Sequence, residues 1–171
     1  MTKRKRTVLL TLATIVIVIQ FVPIPRTNPP VTGEIDAPDA VKVVLQRSCY
    51  DCHSNHTIWL WYSRVAPVSW LLYRDVTEGR RAMNLTEWQQ IPTARQNRRR
   101  KQVWTEVSGG DMPPWFYRPL HPSRKLSDAD KAIIKAWSDA GPAVPSQRAE
   151  GRGQRSDSAT RWIKASGLES L

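Results

Sequence analysis

The sequence predicts an all-α fold, and three observations carry that expectation. Apolar residues recur at helical spacing in several separate runs, among them Val41, Val44 and Leu45, then Val68, Leu71, Leu72 and Val76, then Val103, Trp104 and Val107. No stretch alternates with period two over β-branched residues, as a half-buried strand would. Capping residues, prolines and glycines fall between the runs, where helices must start and stop. The chain has 171 residues, enough for one domain with a real core plus two tails.

The first element is a basic leader, residues 1–6, with Lys3, Arg4, Lys5 and Arg6, followed by the uncharged and almost wholly apolar run 7–22. Such a segment is an export signal, and the absence of an Ala-x-Ala pattern after it favours an uncleaved membrane anchor. The run is shorter than the roughly 20 residues a comfortable span prefers. The positive-inside rule keeps the leader in the cytoplasm and sends the rest across a bacterial inner membrane, as a single-pass protein with a periplasmic domain. Residues 23–33 are proline-rich with little to bury, so they read as an extended tether.

The folded domain is expected over 34–145. Asp36-Ala37-Pro38-Asp39 offers a capping aspartate and an early proline for the first domain helix, whose apolar stripe runs towards Cys49. A second helix opens near Ala66-Pro67 and is expected to stop at Gly79. A short turn around Leu85 to Gln90 carries Trp88. Thr93 to Gln96 matches a capping box for a third helix ending at Gly109-Gly110, and its run Arg95 to Lys101 reads as a solvated face, with a docking patch for an acidic redox partner as the functional alternative. Ser127 to Asp130 opens the last helix, with Ala132, Ile133, Ala136, Trp137 and Ala140 on one side and Gly141-Pro142 after it. Residues 146–171, rich in Ser, Arg, Gly and Gln, read as a disordered tail.

The formal charge of +11 points to nucleic acid only until it is located. Between Glu34 and Pro145 there are 16 basic against 12 acidic residues, so most of the excess lies in the two ends. A nucleic-acid face is therefore not expected.

Both cysteines lie in Ser48-Cys49-Tyr50-Asp51-Cys52-His53-Ser54, and Cys-x-x-Cys-His is the spacing of a c-type haem attachment site. Two thiols would bond the porphyrin and the histidine would bind the iron. On a helix these three side chains stand at i, i+3 and i+4, on one face. A thioredoxin-like pair needs a βαβ context that is missing here. A structural zinc wants four ligands, with only His56 and His121 left to complete the set. A plain disulfide would not call for His53. One haem c per chain is the expected cofactor, on Cys49, Cys52 and His53.

Met112, in Gly109-Gly110-Asp111-Met112-Pro113-Pro114, is pushed out of helical geometry by the proline that follows and so sits on a loop. It is the expected second axial ligand, with His121 as the substitute, since haem iron draws on a short list of side chains. The alternative role for His121 is a hydrogen-bonded structural imidazole. His56 follows His53 too closely to reach the opposite face and reads as a surface or propionate-side residue. Met83 reads as packing a helix end.

Several segments together resemble the bacterial haem-binding domain family related to cytochrome c. They are Ser48 to Ser54, Trp61-Tyr62-Ser63, Ala66 to Trp70, Asp75 to Arg80, Met112-Pro113-Pro114, and Leu120-His121-Pro122 with Leu126-Ser127. Leu60 departs from the family's frequent proline between two tryptophans. The resemblance implies a small helical cytochrome c-like fold, with haem on Cys49 and Cys52, His53 proximal and Met112 distal. The expected function is one-electron transfer with an unidentified periplasmic or membrane partner, by a carrier that is not an enzyme. No acid-base or nucleophilic constellation lies beside the motif. A haem sensor or peroxidase-like protein with a labile or open distal site is the alternative.

Overall fold

A computed structural model describes residues 2–141. The expected tail, 146–171, lies outside the described residues. Among them there are six α-helices, four short 3₁₀ turns and no strand; a single isolated bridge joins Gly33 and Glu87.

Helix α1 spans Lys3–Ile19 and buries none of its residues. It takes in the basic leader that the sequence set apart, and it ends three residues earlier than the apolar run. No helix among the described residues is long and apolar enough to cross a membrane. Gln20 ends α1 by an unusual contact. Its side-chain amide donates to the Ala66 carbonyl at 3.2 Å, and its side-chain oxygen accepts from the Ala66 amide at 2.9 Å.

The proline-rich segment 23–33 is not a free tether. Backbone groups that cannot pair locally beside proline are met by the domain: Thr27 and Pro30 carbonyls accept from Arg80 and Asn55, and the Thr32 and Gly33 amides donate to the Thr86 carbonyl. Asn28 joins the same surface, donating to the Thr57 carbonyl and accepting from Arg80. The segment is a strap, and the packed unit reaches back to Gln20.

Helix α2 spans Asp39–Ser48 and begins directly after Pro38, with Asp39 in its first turn; Asp36 makes no capping bond. Its stripe of Val41, Val44 and Leu45 is buried. The four-residue α3, Tyr50–His53, follows at a turn through Cys49. Helix α4, Val68–Ala82, runs on past Gly79. The expected stop is an interior position, because the glycine serves packing instead. A Cβ there would lie 2.5 Å from the carbonyl oxygen of Cys52, so the missing side chain is what lets α3 and α4 touch.

Helix α5 spans Thr93–Gly109 after Pro92, and no side-chain cap forms at Thr93. Gln96 turns away to donate to the Trp88 and Ile91 carbonyls. Gly110 closes α5 in the left-handed conformation, at φ 83°, which glycine adopts without steric cost. Helix α6, Asp128–Asp139, opens with a complete capping box between Ser127 and Asp130. It buries Ile134 and Trp137, with Ile133 only partly covered, so the inward face is turned slightly from the one expected.

The core lies where α2, α5 and α6 meet the Leu85–Trp88 turn. Leu45, Leu85, Trp88 and Ile134 are its most buried large side chains, and the rings of Trp88 and Trp137 sit 6.0 Å apart. Arg100 corrects the reading of Arg95 to Lys101 as a uniformly solvated face. It is buried, donates to the Gly141 carbonyl and lies over the Trp137 ring.

Candidate functional site

A cavity of about 450 Å³ opens between α3, α4, α5 and the loop after α5, a size in the range of small-molecule and cofactor sites. Cys49, Cys52 and His53 line it, as do Met83 and Met112. The short α3 explains the convergence. Its i, i+3, i+4 geometry turns the three motif side chains to one side, and Gly79 brings the α4 backbone against the back of the motif.

The cysteines are unpaired, half-buried thiols. Burial, with the other thiol adding to it, pushes the Cys49 pKa up to about 12; burial followed by Asp51 and Asp75 does the same for Cys52. Both are protonated at neutral pH.

His53 is oriented by its neighbours. Its Nδ1 lies 3.2 Å from the Met83 carbonyl, which can only accept, so Nδ1 carries the proton and Nε2 keeps its lone pair. The His53 carbonyl in turn accepts from the Leu85 amide at 2.7 Å. Burial lowers the imidazole pKa, opposed by the hydrogen bonds to the Met83 and Gly79 carbonyls, so the ring is neutral and competent as a metal ligand.

The residues between the cysteines hold the motif to its surroundings. Tyr50 donates to Glu34 at 2.8 Å, and burial first and that hydrogen bond second raise its pKa. Asp51 accepts from Tyr117 at 2.5 Å and pairs with Arg124. Behind the motif lies a buried amide network. Asn84 donates to the Asn55 side-chain oxygen at 2.9 Å, while its own oxygen accepts from the Thr86 backbone amide and hydroxyl at 3.1 and 2.8 Å. Nothing in a single sequence separates Gly79, Asn84 or the Met83 carbonyl from an ordinary helix end, so these supports were not legible before the fold.

Met112 sits in a bend of the loop after α5, with its amide donating to the Glu106 carbonyl at 3.2 Å and its side chain 37 % exposed. Met83 also lines the cavity, but its carbonyl lies behind His53, on the side away from Nε2. Met112 approaches from the loop after α5, on the opposite part of the chain from the α4 end that carries Met83.

His121 does not line the cavity, which removes it as a substitute ligand. Its Nδ1 donates to the Tyr117 carbonyl at 3.0 Å and its Nε2 accepts from the Tyr62 hydroxyl at 2.6 Å, leaving no free lone pair. The structural-imidazole alternative describes it. His56 is exposed and pairs with Glu34 at 3.0 Å in a separate groove. The rest of the cavity wall mixes apolar Leu72, Val103, Val107, Phe116 and Leu126 with polar Asp75, Glu78, Arg99, Gln102 and Glu106. Burial raises the Asp75 pKa, with Arg74 opposing.

A family model described as "Haem-binding domain" matches residues 14–140 of the chain. No curated protein and no solved structure matches it.

Proposed function

Because the chain belongs to the haem-binding domain family, we propose that it is a membrane-anchored monohaem c-type cytochrome that carries single electrons on the periplasmic side of a bacterial inner membrane. The observation that carries this reading is the meeting of Cys49, Cys52, His53 and Met112 on one cavity. The donor set fits the group. Two unpaired thiols can take the thioether bonds, the free Nε2 of neutral His53 can take one axial position, and the Met112 sulfur can take the other. A bound haem supplies reversible one-electron chemistry, and His/Met ligation raises its potential. Leu72, Val103, Val107 and Phe116 would shield a bound porphyrin from water, and Arg99 on the same wall would be able to pair with a propionate.

The anchor reading is supported by α1, whose Val8, Leu9, Leu10, Leu12 and Ile15 to Val18 stay exposed among the described residues, behind four basic residues that favour the cytoplasmic side. Helix of this length covers about 25 Å, somewhat short of the roughly 30 Å hydrocarbon core, with residues 20–22 available to extend it. Anchoring would also raise the effective concentration at membrane partners.

The test is the absorption spectrum of protein matured with a c-type haem assembly system, wild type beside Met112→Ala. Haem that survives denaturing electrophoresis, and a weak red band of the ferric protein lost in the variant, are the expected results. Haem released on denaturation would overturn the covalent attachment. Coincident spectra would overturn Met112 as ligand. The second reading, a sensor or peroxidase-like protein with a displaceable distal ligand, is favoured by the exposure of Met112 and the Gly110 turn just before it. Rapid carbon monoxide binding to the ferrous protein would select it.

A further inference from the structure

His121, excluded from the cavity, stands in the middle of a continuous aromatic series. Tyr117 lines the cavity and stacks on the His121 ring, with centroids 3.9 Å apart and planes 11° from parallel. Tyr62 meets the other edge of His121 through the 2.6 Å hydrogen bond. Trp61 packs edge-on against Tyr62 at 5.7 Å. The series thus starts at the cavity wall, passes through buried or half-buried rings, and ends on a tryptophan 77 % exposed.

The chain holds this line rigidly. Both nitrogens of His121 are engaged, so its ring cannot turn. Tyr117 is pinned by its bond to Asp51, inside the attachment motif itself. Leu120, two thirds exposed, directly precedes His121, and exposed Trp61 directly precedes Tyr62, so each member of the hydrogen-bonded pair has an apolar neighbour open to solvent. Apolar contact around an electron-exchange point is the usual composition of an interface centre.

We propose that Trp61, Tyr62, His121 and Tyr117 form the path by which an electron passes between the cavity and a one-electron redox protein docked over Trp61. The inference rests on the electron-carrier reading above. The electron tunnels through the stacked rings, which are bridging groups and are neither oxidised nor reduced; the iron loses one electron, the docked acceptor gains one, and no proton or bond is exchanged. Packed rings and a short hydrogen bond couple donor to acceptor better than the same distance of water.

The test uses the full haem-loaded chain bearing a ruthenium polypyridyl photosensitiser on Arg64→Cys, an exposed position in the same 3₁₀ turn as Trp61, the native thiols being occupied by haem. The lifetime of the label's luminescence reads electron transfer to the ferric haem. Tyr62→Leu is expected to slow that transfer by an order of magnitude, and the surface variant Trp61→Leu, which cannot disturb the core, by several-fold. The same label on Gln89→Cys, an exposed position on the strap side of the domain, is expected to be insensitive to both. Unchanged rates from position 64 in both variants would overturn the path. So would an equal slowing from position 89, which would mark a general disturbance of the haem. Absence of reversible cycling of the unlabelled protein at an electrode would instead overturn the carrier reading, so the two failures are distinguishable.

Discussion

The two sides of the cavity are built differently. On the side of Cys49, Cys52 and His53, every polar group behind the motif is paired: Nδ1 of His53 with the Met83 carbonyl, its own carbonyl with the Leu85 amide, and Asn55, Asn84 and Thr86 with one another. Gly79 removes the side chain that would hold α4 away. The Met112 side is a loop between Gly110 and the Tyr117 anchor, held by a few backbone contacts and partly open to water. The difference teaches that the geometry around His53 is set by the packing of helices and a paired polar network, whereas Met112 is presented by a loop with fewer ties to the rest of the domain.

The largest expected effect tests the tight side. Gly79→Ala would ordinarily stabilise a helix interior by roughly 0.5–1 kcal/mol. Here the new Cβ meets the Cys52 carbonyl, a backbone atom that cannot swing aside, so a net loss of about 3 kcal/mol is expected. Denaturant melts of the haem-free protein check the sign, and a variant as stable as wild type would break the comparison. Next comes Asn84→Leu, which leaves the Asn55 side-chain oxygen and the Thr86 amide and hydroxyl proton without their Asn84 partner in a buried setting. A loss of about 2 kcal/mol is expected by the same melts.

The open side should tolerate change. Met112→Ala is expected to alter stability by less than about 0.5 kcal/mol in haem-free protein, because a part-exposed loop side chain buries little. A loss comparable with that at Gly79 would mean that the loop is as firmly built as the motif.

The smallest effect is one of pH. Asp130 pairs with Arg47 at 2.6 Å, and so ties α6 to the end of α2 just before Cys49. Burial works to raise its pKa, but the hydrogen bonds from Ser127 and Arg47 outweigh that and hold it below the ordinary 3.8. A depressed folded pKa contributes stability that is present above 3.8 and lost as pH falls through the lower folded value. Asp130→Asn should therefore be slightly less stable at neutral pH and show a shallower loss on acidification, which acid melts of the two proteins compare.

The residues near the motif show where sequence reasoning stops. Cys49, Cys52 and His53 were legible because a local spacing carries their geometry, and Ser127 to Asp130 because a capping box is closed within four residues. Thr93 to Gln96 has the same signature, yet Gln96 bonds to the Trp88 turn instead, since a tertiary partner was within reach. Gly79 looked like a helix stop because a glycine carries no mark of what will approach it. Segment 23–33 looked like a tether because its composition has little to bury, and it is held by hydrogen bonds to residues far along the chain.

By itself the sequence determined the helical class, the Cys-x-x-Cys-His motif, the basic and apolar leader, and the placing of Met112 on a loop, all of which follow from periodicity, spacing and the backbone limits of proline. Tertiary structure alone decided which histidine faces the cavity, what fixes the tautomer of His53, and that His121 is spent on two tyrosines. Those outcomes depend on contacts between groups tens of residues apart, and pairings over such distances are written in how the helices pack rather than in any local stretch of the chain.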